Sequence, residues 1–370
     1  MTPEISVLMT MEAAWHTVPG GTGRVAVDLA EALSQRDDIA IRGVSAWHIR
    51  QPTQNFRPTI DIARLPLPRP LLYETWSRMS FPQLKTRNDS IIHSTTIVAP
   101  PPGKSPLVVS VHDLAFRRFP ERFPLRARRL FERSWQQVLA RSDAVICPSA
   151  ATSADLIAAG LDTERLHLVS LGHDPYEVTQ EQVSRTLNKL QIPEEFILVV
   201  GTLEPRKNIP TLIEAFRHIA PTTSAQLVIA GPTGWGLTAQ DLLRPLDQSI
   251  RNRVSIVGEV QHQELAALYT QSSVFCYPSL LEGFGLPVLE AMSYGAPVVT
   301  SKGTSTEEVA GNAAITINPQ SPIEIGEALE FLLTDRSAAR EISLRGLERS
   351  KCFTWAKAAA NTVDVYKRLL

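Results

Sequence analysis

The feature that most constrains this chain is an alternation that runs along it twice: short apolar, β-branched runs separated by stretches of helical periodicity. In the first half, Ile5–Leu8, Ile39–Val44, Ser90–His93, Leu107–Val111, Ala144–Cys147 and Leu166–Leu171 read as strands, and Arg24–Ser34, Leu125–Arg141 and Ala150–Ala159 as helices. In the second half, strands fit Phe196–Val200, Gln226–Ala230, Val254–Val257, Val274–Tyr277, Pro297–Thr300 and Ala313–Ile317. Helices there fit Ile209–Ala220, Ala239–Ser249, Gln263–Gln271, Leu286–Tyr294 and Pro322–Leu333. Runs such as Ile197-Leu198-Val199-Val200 are apolar at every position, which suits parallel strands covered by helices on both faces. Two such series predict an α/β protein of two doubly wound domains.

The segment between Gly172 and Pro193 is polar and holds a short helical pattern but no core strand. The expected organisation is therefore a first domain over 1–172, a linker over 173–193, a second domain over 194–350, and a C-terminal helical segment over 351–370 that returns to the first domain. A chain of 370 residues, 44% hydrophobic and 20% charged with a net charge of -1, has material for two cores. That balance excludes a disordered chain, a collagen-like repeat and a globally basic nucleic-acid binder. No stretch approaches the roughly 18 apolar residues of a bilayer span. Met1-Thr2-Pro3-Glu4 lacks the basic and apolar regions of a secretory signal. Cys147, Cys276 and Cys352 are too few and too scattered for a disulfide framework or a zinc motif. The expected setting is cytoplasmic.

In open parallel sheets, ligands gather outside the carboxyl ends of the strands. Four loops at such ends stand out. Pro19-Gly20-Gly21-Thr22-Gly23 lets backbone approach an anion at a helix start, though by itself it serves equally as a turn. Gly201-Thr202-Leu203-Glu204-Pro205-Arg206-Lys207-Asn208 follows an apolar strand; Arg206 and Lys207 can set a donor fork and a mobile point charge against one diphosphate. In Glu282-Gly283-Phe284-Gly285-Leu286-Pro287-Val288-Leu289-Glu290, two carboxylates seven residues apart can accept sugar hydroxyls, and Pro287 suits the first turn of a helix. His112-Asp113 ends the strand Leu107–Val111, where a neutral imidazole can meet a substrate hydroxyl and the neighbouring acid can orient it.

On these residues the sequence resembles the retaining glycosyltransferases of family 4, with the GT-B fold of two Rossmann-like domains facing across a cleft. Glu282 to Glu290 is similar to that family's E-x7-E motif. Supporting matches run in order along nearly the whole chain: Gly20-Gly21, Val111-His112-Asp113-Leu114, Gly201 to Asn208, Ala230-Gly231, Pro278-Ser279 and Gly295-Ala296-Pro297-Val298-Val299. His112 to Phe116, Phe119-Pro120-Glu121, Gly231-Pro232 and Gly234-Trp235-Gly236 resemble the bacterial mannosyltransferases of the group. The resemblance implies an acceptor-binding first domain and a nucleotide-sugar-binding second domain. It implies that Arg206 and Lys207 hold the donor diphosphate, Glu290 the ribose and Glu282 the transferred sugar. Phe284, Gly285 and Leu286 would offer backbone N–H groups, with Gly201 and Thr202 beside them. His112 would contact the sugar near its reacting carbon, and Gly20 and Gly21 would lie over the phosphates or the acceptor. Where the family often has Ser-x-Pro-Glu, this chain has Ser305-Thr306-Glu307-Glu308, without the proline.

The activity implied is transfer of a hexose, mannose by the subgroup match, to a glycan or lipid-linked acceptor with retention of configuration. No Asp-x-Asp occurs in the sequence, so no metal and no cofactor are expected; the fixed cations take that electrostatic role. A nucleotide-sugar epimerase, or a nucleotide-sugar-binding protein without catalysis, fits the same resemblance. Arg117 to Arg141 carries eight arginines against two glutamates. It reads either as an amphipathic helix packed on the first domain's sheet with a solvated basic face, or as one whose Arg122, Arg126, Arg129 and Arg133 also meet an anionic membrane surface or a lipid-linked diphosphate.

Overall fold

The protein is described from a computed structural model covering residues 5–86, 90–101, 103–234 and 236–370, the side chain of Arg122 excepted. Met1 to Glu4 and Trp235, both cited above, lie outside the described residues. The chain divides into two compact units, Met1–Gly172 with Trp355–Leu370, and His173–Thr354.

The first unit runs β1 (Ile5–Thr10), α1 (Gly20–Ser34), β2 (Ile39–Ser45), β3 (Ile62–Arg64), α2 (Arg69–Arg78), β4 (Ser90–Ser94), β5 (Leu107–Ser110), α3 (Ala115–Arg118), α4 (Leu125–Arg141), β6 (Ala144–Cys147), α5 (Ala150–Ala158) and β7 (Leu166–Leu168). Its seven strands are parallel in the order β3-β2-β1-β4-β5-β6-β7. Val109, Val145 and Ile92 on the strands pack with Trp76 of α2 and Trp135 and Val138 of α4.

The second unit runs α6 (Gln180–Leu190), β8 (Phe196–Val200), α7 (Ile209–Ile219), β9 (Gln226–Ala230), α8 (Ala239–Leu243), α9 (Gln248–Arg251), β10 (Val254–Gly258), α10 (His262–Gln271), β11 (Val274–Tyr277), α11 (Leu286–Ser293), β12 (Val298–Ser301), α12 (Ser305–Ala310), β13 (Ile315–Ile317), α13 (Pro322–Thr334) and α14 (Arg336–Ser350). A last helix, α15 (Trp355–Lys367), belongs to the first unit. The second sheet is also parallel, in the order β10-β9-β8-β11-β12-β13. Helix α7 shows why the pattern folds this way: Ile209, Leu212, Ile213, Phe216 and Ile219 recur on one face and are all buried against the strands.

Several sequence expectations need correction. Segment 173–193 is no linker: Thr179 and Gln182 form a reciprocal cap that starts α6, and Val183, Thr186 and Leu187 are buried as α6 packs on α10 within the second unit. The C-terminal segment changes unit at Trp355, not at 351. It is fastened by Tyr366, whose hydroxyl lies 2.6 Å from Nδ1 of buried His93 on β4. Helix α1 starts at Gly20, so Gly20 to Gly23 form its first turn. The helix expected over Ala239–Ser249 breaks in two because Pro245 interrupts it and Asp247 caps a new turn. Strand β3 and helices α2 and α14 were not foreseen, since their segments are polar or interrupted by proline.

Candidate functional site

The two sheets share one winding. In each, the first strand of the unit lies between the second and the fourth, so the strand order reverses beside it. Such a switch point opens a crevice at the carboxyl ends of two adjacent strands. In the second unit those strands are β8 and β11. Arg206 and Lys207 follow the first and Glu282 follows the second.

Backbone contacts bring the two loops together. The carbonyl of Arg206 accepts the N–H of Leu280 at 2.8 Å and the Ser279 hydroxyl at 3.0 Å. The turn Pro205–Lys207 aims both cations at one carboxylate. Arg206 Nη1 lies 2.6 Å from Glu282 Oε2, and Lys207 Nζ lies 2.7 Å from Glu282 Oε1. Ser279 donates to Oε1 at 2.6 Å and Tyr277 at 3.0 Å, and Lys207 also donates to the Tyr277 hydroxyl. A second acid, Glu204, lies 2.7 Å from Arg206 Nε. Lys207, Glu204 and Glu282 are buried, and the Arg206 side chain is 24% exposed.

Two cations and two carboxylates thus form a neutral network at the crevice. Burial alone would raise the Glu282 carboxyl, but Arg206 and then Lys207 outweigh it and hold that carboxyl at about 2. Burial, and next the like charge of Arg206, lower the Lys207 ammonium below its ordinary value against the pull of Glu282 and Glu204. Glu282 is ionised at neutral pH, and Arg206 is the cation with access to solvent.

Glycines shape the rim. Gly201 and Gly231 sit at φ +152 and +147, and a Cβ on Gly231 would lie 2.1 Å from the Gly201 carbonyl oxygen. Gly285, at φ +108, precedes α11; a Cβ there would lie 2.7 Å from Thr306 Cγ2, so the loop's approach to α12 requires glycine. Leu286 begins α11, where the helix dipole favours an anion. Phe284 is buried with its ring 5.8 Å from that of Phe353. Thr202 is half-buried beside Gly201.

The two acids of Glu282-x7-Glu290 are not equivalent. Glu282 is locked among cations, whereas Glu290 accepts the Tyr269 hydroxyl at 2.8 Å, and the Tyr269 ring stacks on Tyr294. In the first unit, His112 Nε2 lies 3.0 Å from the Thr95 carbonyl, at the loop after β4, and burial lowers its pKa. Asp113 does not orient that imidazole; its Oδ1 accepts the N–H of Ala115 at the start of α3. Gly20 and Gly21 are exposed, and a Cβ on either would meet nothing within 4 Å. The structure therefore joins Gly201, Arg206, Lys207 and Glu282 within one unit, and places His112, Gly20 and Gly21 in the other. Sequence reasoning missed Glu204, Tyr277 and Ser279 as members of the network; the signal was Glu204's place two residues before Arg206 in the same loop.

Two family models cover most of the chain: Glycosyl transferases group 1 over residues 183–349, and Glycosyltransferase Family 4 over residues 19–177. The O-antigen chain mannosyltransferase B of Escherichia coli is 30% identical over 314 residues, 81% of each chain. The serotype-specific mannosyltransferase WbdA of Escherichia coli is 32% identical over 243 residues, which are 62% of this chain but only 29% of that longer protein. Among solved structures, Anabaena HepE in complex with UDP and glucose superposes with a TM-score of 0.75 at 19% identity, covering 98% of this chain and 100% of that one. WaaG, a glycosyltransferase involved in lipopolysaccharide biosynthesis, gives 0.71 at 16% identity over 98% and 99%. These neighbours carry the GT-B fold, and the two parallel-sheet units described above are that fold.

Proposed function

This chain belongs to the glycosyltransferase family of those relatives, and on that premise we propose that it transfers mannose from a nucleotide-diphosphate sugar to a glycan or lipid-linked acceptor, with retention of configuration, in the assembly of a surface polysaccharide. One observation carries the reading: Arg206, Lys207, Glu204 and Glu282 converge at the β8/β11 switch point, with Arg206 partly open to solvent. The 30% identity to an O-antigen mannosyltransferase over four fifths of both chains supports the choice of sugar and product.

The network suggests how the donor is received. The diphosphate takes Arg206 away from Glu282, and the freed Oε2 accepts a hydroxyl of the sugar. Lys207 stays bound to Oε1 and faces the charge that grows on the departing phosphate. The acceptor hydroxyl attacks the anomeric carbon from the face that the diphosphate leaves. The sugar–phosphate C–O bond breaks, the new C–O bond forms, and the hydroxyl proton passes to the leaving phosphate oxygen. Glu290 takes the ribose, and His112 the transferred sugar. Fixed cations and the start of α11 stabilise the leaving group in place of a metal ion.

The reading also includes peripheral contact with an anionic membrane, and no helix among the described residues is long and apolar enough to cross one. Arg133, Arg117 and Arg118 are paired with Glu74, Glu132 and Asp155. Arg126 and Arg129 are exposed beside Leu125, itself 65% exposed at the first turn of α4.

The test is transfer to methyl α-mannopyranoside and to mannobiosides from GDP-, UDP-, ADP- and dTDP-sugars, with product anomers read by NMR. The expected product is α-linked from an α-linked donor, and it forms in EDTA. A β-linked product, or activity that EDTA abolishes and magnesium restores, contradicts the mechanism.

A further inference from the structure

The first unit holds a polar cluster that the donor chemistry leaves unused. It sits at the carboxyl ends of β1 and β2, outside the switch point of that sheet. Glu12 follows β1 on the turn Glu12–Trp15 and is 3% exposed. Its Oε2 accepts the N–H of Ala46 at 2.8 Å, just beyond β2. Nε2 of His48 lies 2.9 Å from Oε1 and 3.0 Å from Oε2. A buried carboxylate is costly unless it is paired, so this dyad is a built feature of the loop pair.

The dyad fixes the tautomer of the imidazole. A carboxylate oxygen accepts, so Nε2 is the nitrogen that donates to Glu12, and the tautomer this selects leaves Nδ1 as the acceptor. Among the described residues, nothing hydrogen-bonds Nδ1, and the His48 side chain is 17% exposed. The Trp15 ring stacks on the imidazole with centroids 5.2 Å apart and planes 10° apart, and Trp15 Nε1 is held by the Arg50 carbonyl at 3.0 Å. Exposed Trp47 and Ile49 flank His48 in sequence, and exposed Gly20 and Gly21 follow the same turn as Trp15.

An accepting nitrogen suits a hydroxyl donor and repels a phosphate oxygen. Aromatic and apolar side chains close by suit the C–H faces of a pyranose. We propose that Glu12, His48 and Trp15 form the acceptor subsite: a hydroxyl of the acceptor's terminal sugar donates to His48 Nδ1, and Glu12 is the positioning residue that keeps that nitrogen an acceptor. This rests on the glycosyltransferase reading above, and it assigns the group met here as a carbohydrate hydroxyl.

Glu12→Gln supplies a test that a merely structural role does not pass. The carbonyl of the introduced amide still accepts the Ala46 N–H, so its NH₂ must donate to His48 Nε2. That moves the imidazole proton to Nδ1 and reverses what the ring offers. Saturation-transfer NMR with methyl α-mannopyranoside and α-linked mannobiosides, run with nucleoside diphosphate present, should show sugar binding to the wild type. Binding should weaken by about tenfold or more in His48→Ala and in Glu12→Gln, the worth of one well-made hydrogen bond. Nitrogen-15 shifts of His48 should report the exchanged tautomer in Glu12→Gln, while calorimetry finds nucleotide affinity unchanged. Equal sugar binding in folded variants, or none of these sugars bound by the wild type, overturns the subsite. Failure of the donor reading would look different, as the wild type would bind no nucleotide whatever the sugar result.

Discussion

The two units apply one winding to opposite purposes at their switch points. In the second unit, the ends of β8 and β11 bring two cations and two carboxylates together in a buried, neutral network. In the first, the ends of β1 and β4 are joined by hydroxyls: Thr95 Oγ1 donates to the Thr10 carbonyl at 2.7 Å, and Thr10 Oγ1 accepts the Thr95 N–H at 3.0 Å. The Glu12–His48 pair of that unit stands one strand aside, over β1 and β2. An internally paired cluster can exchange one partner for an incoming anion without leaving a bare buried charge. A neutral hydroxyl tie cannot answer charge, and serves to hold the strand ends. On the reading proposed above, this difference is why the second unit, and not the first, is the one suited to a diphosphate.

Removing a cation from the charged switch point should have the largest effect. Lys207→Met is expected to lower kcat by about 10²–10³, or about 2.7–4 kcal/mol of transition-state stabilisation, with a smaller change in KM for the donor. Steady-state kinetics checks it. Acid should separate the units next. Glu282 has its pKa depressed from 4.5 to about 2, so its contribution is present above 4.5 and is lost as pH falls towards 2. Urea unfolding between pH 5 and pH 2 should lose up to about 3 kcal/mol in the wild type, and that share of the slope should vanish in Glu282→Gln. The glycines give the finer contrast. Gly231→Ala, with its Cβ 2.1 Å from a backbone oxygen, should cost about 3 kcal/mol in denaturant melts. Gly21→Ala meets nothing within 4 Å, so stability should stay within about 0.5 kcal/mol, and any loss of transfer activity would reflect access to the bound substrate.

The same contrast explains what was legible in the sequence. The strands of the second unit are apolar on both faces, and Phe196–Val200, Gln226–Ala230 and Val274–Tyr277 fall where their composition put them. Arg206, Lys207 and Glu282 were readable because each stands directly after a strand in a loop that needs glycine. What could not be read was pairing across distant loops. Nothing near Glu282 in the chain announces that its oxygens meet Arg206 and Lys207, because that follows from β8 lying next to β11. Glu12 and His48 were missed for the same reason: they are 36 residues apart and meet only because β1 pairs with β2. Helix α14 escaped notice because its few apolar residues do not line one buried face: Leu344 and Leu347 are exposed, and its buried residues are Gly346 and Ser350.

The central claim is that the network after β8 and β11 receives the donor diphosphate by releasing Arg206 from Glu282. The most direct test is calorimetric titration of GDP, UDP, ADP and dTDP into the wild type and into Arg206→Met, with thermal melts confirming that both are folded. At least one nucleotide should bind the wild type, and its affinity should fall by about tenfold to a hundredfold in Arg206→Met, the range for a charge-assisted hydrogen bond. Undiminished binding of that nucleotide by folded Arg206→Met would contradict the account.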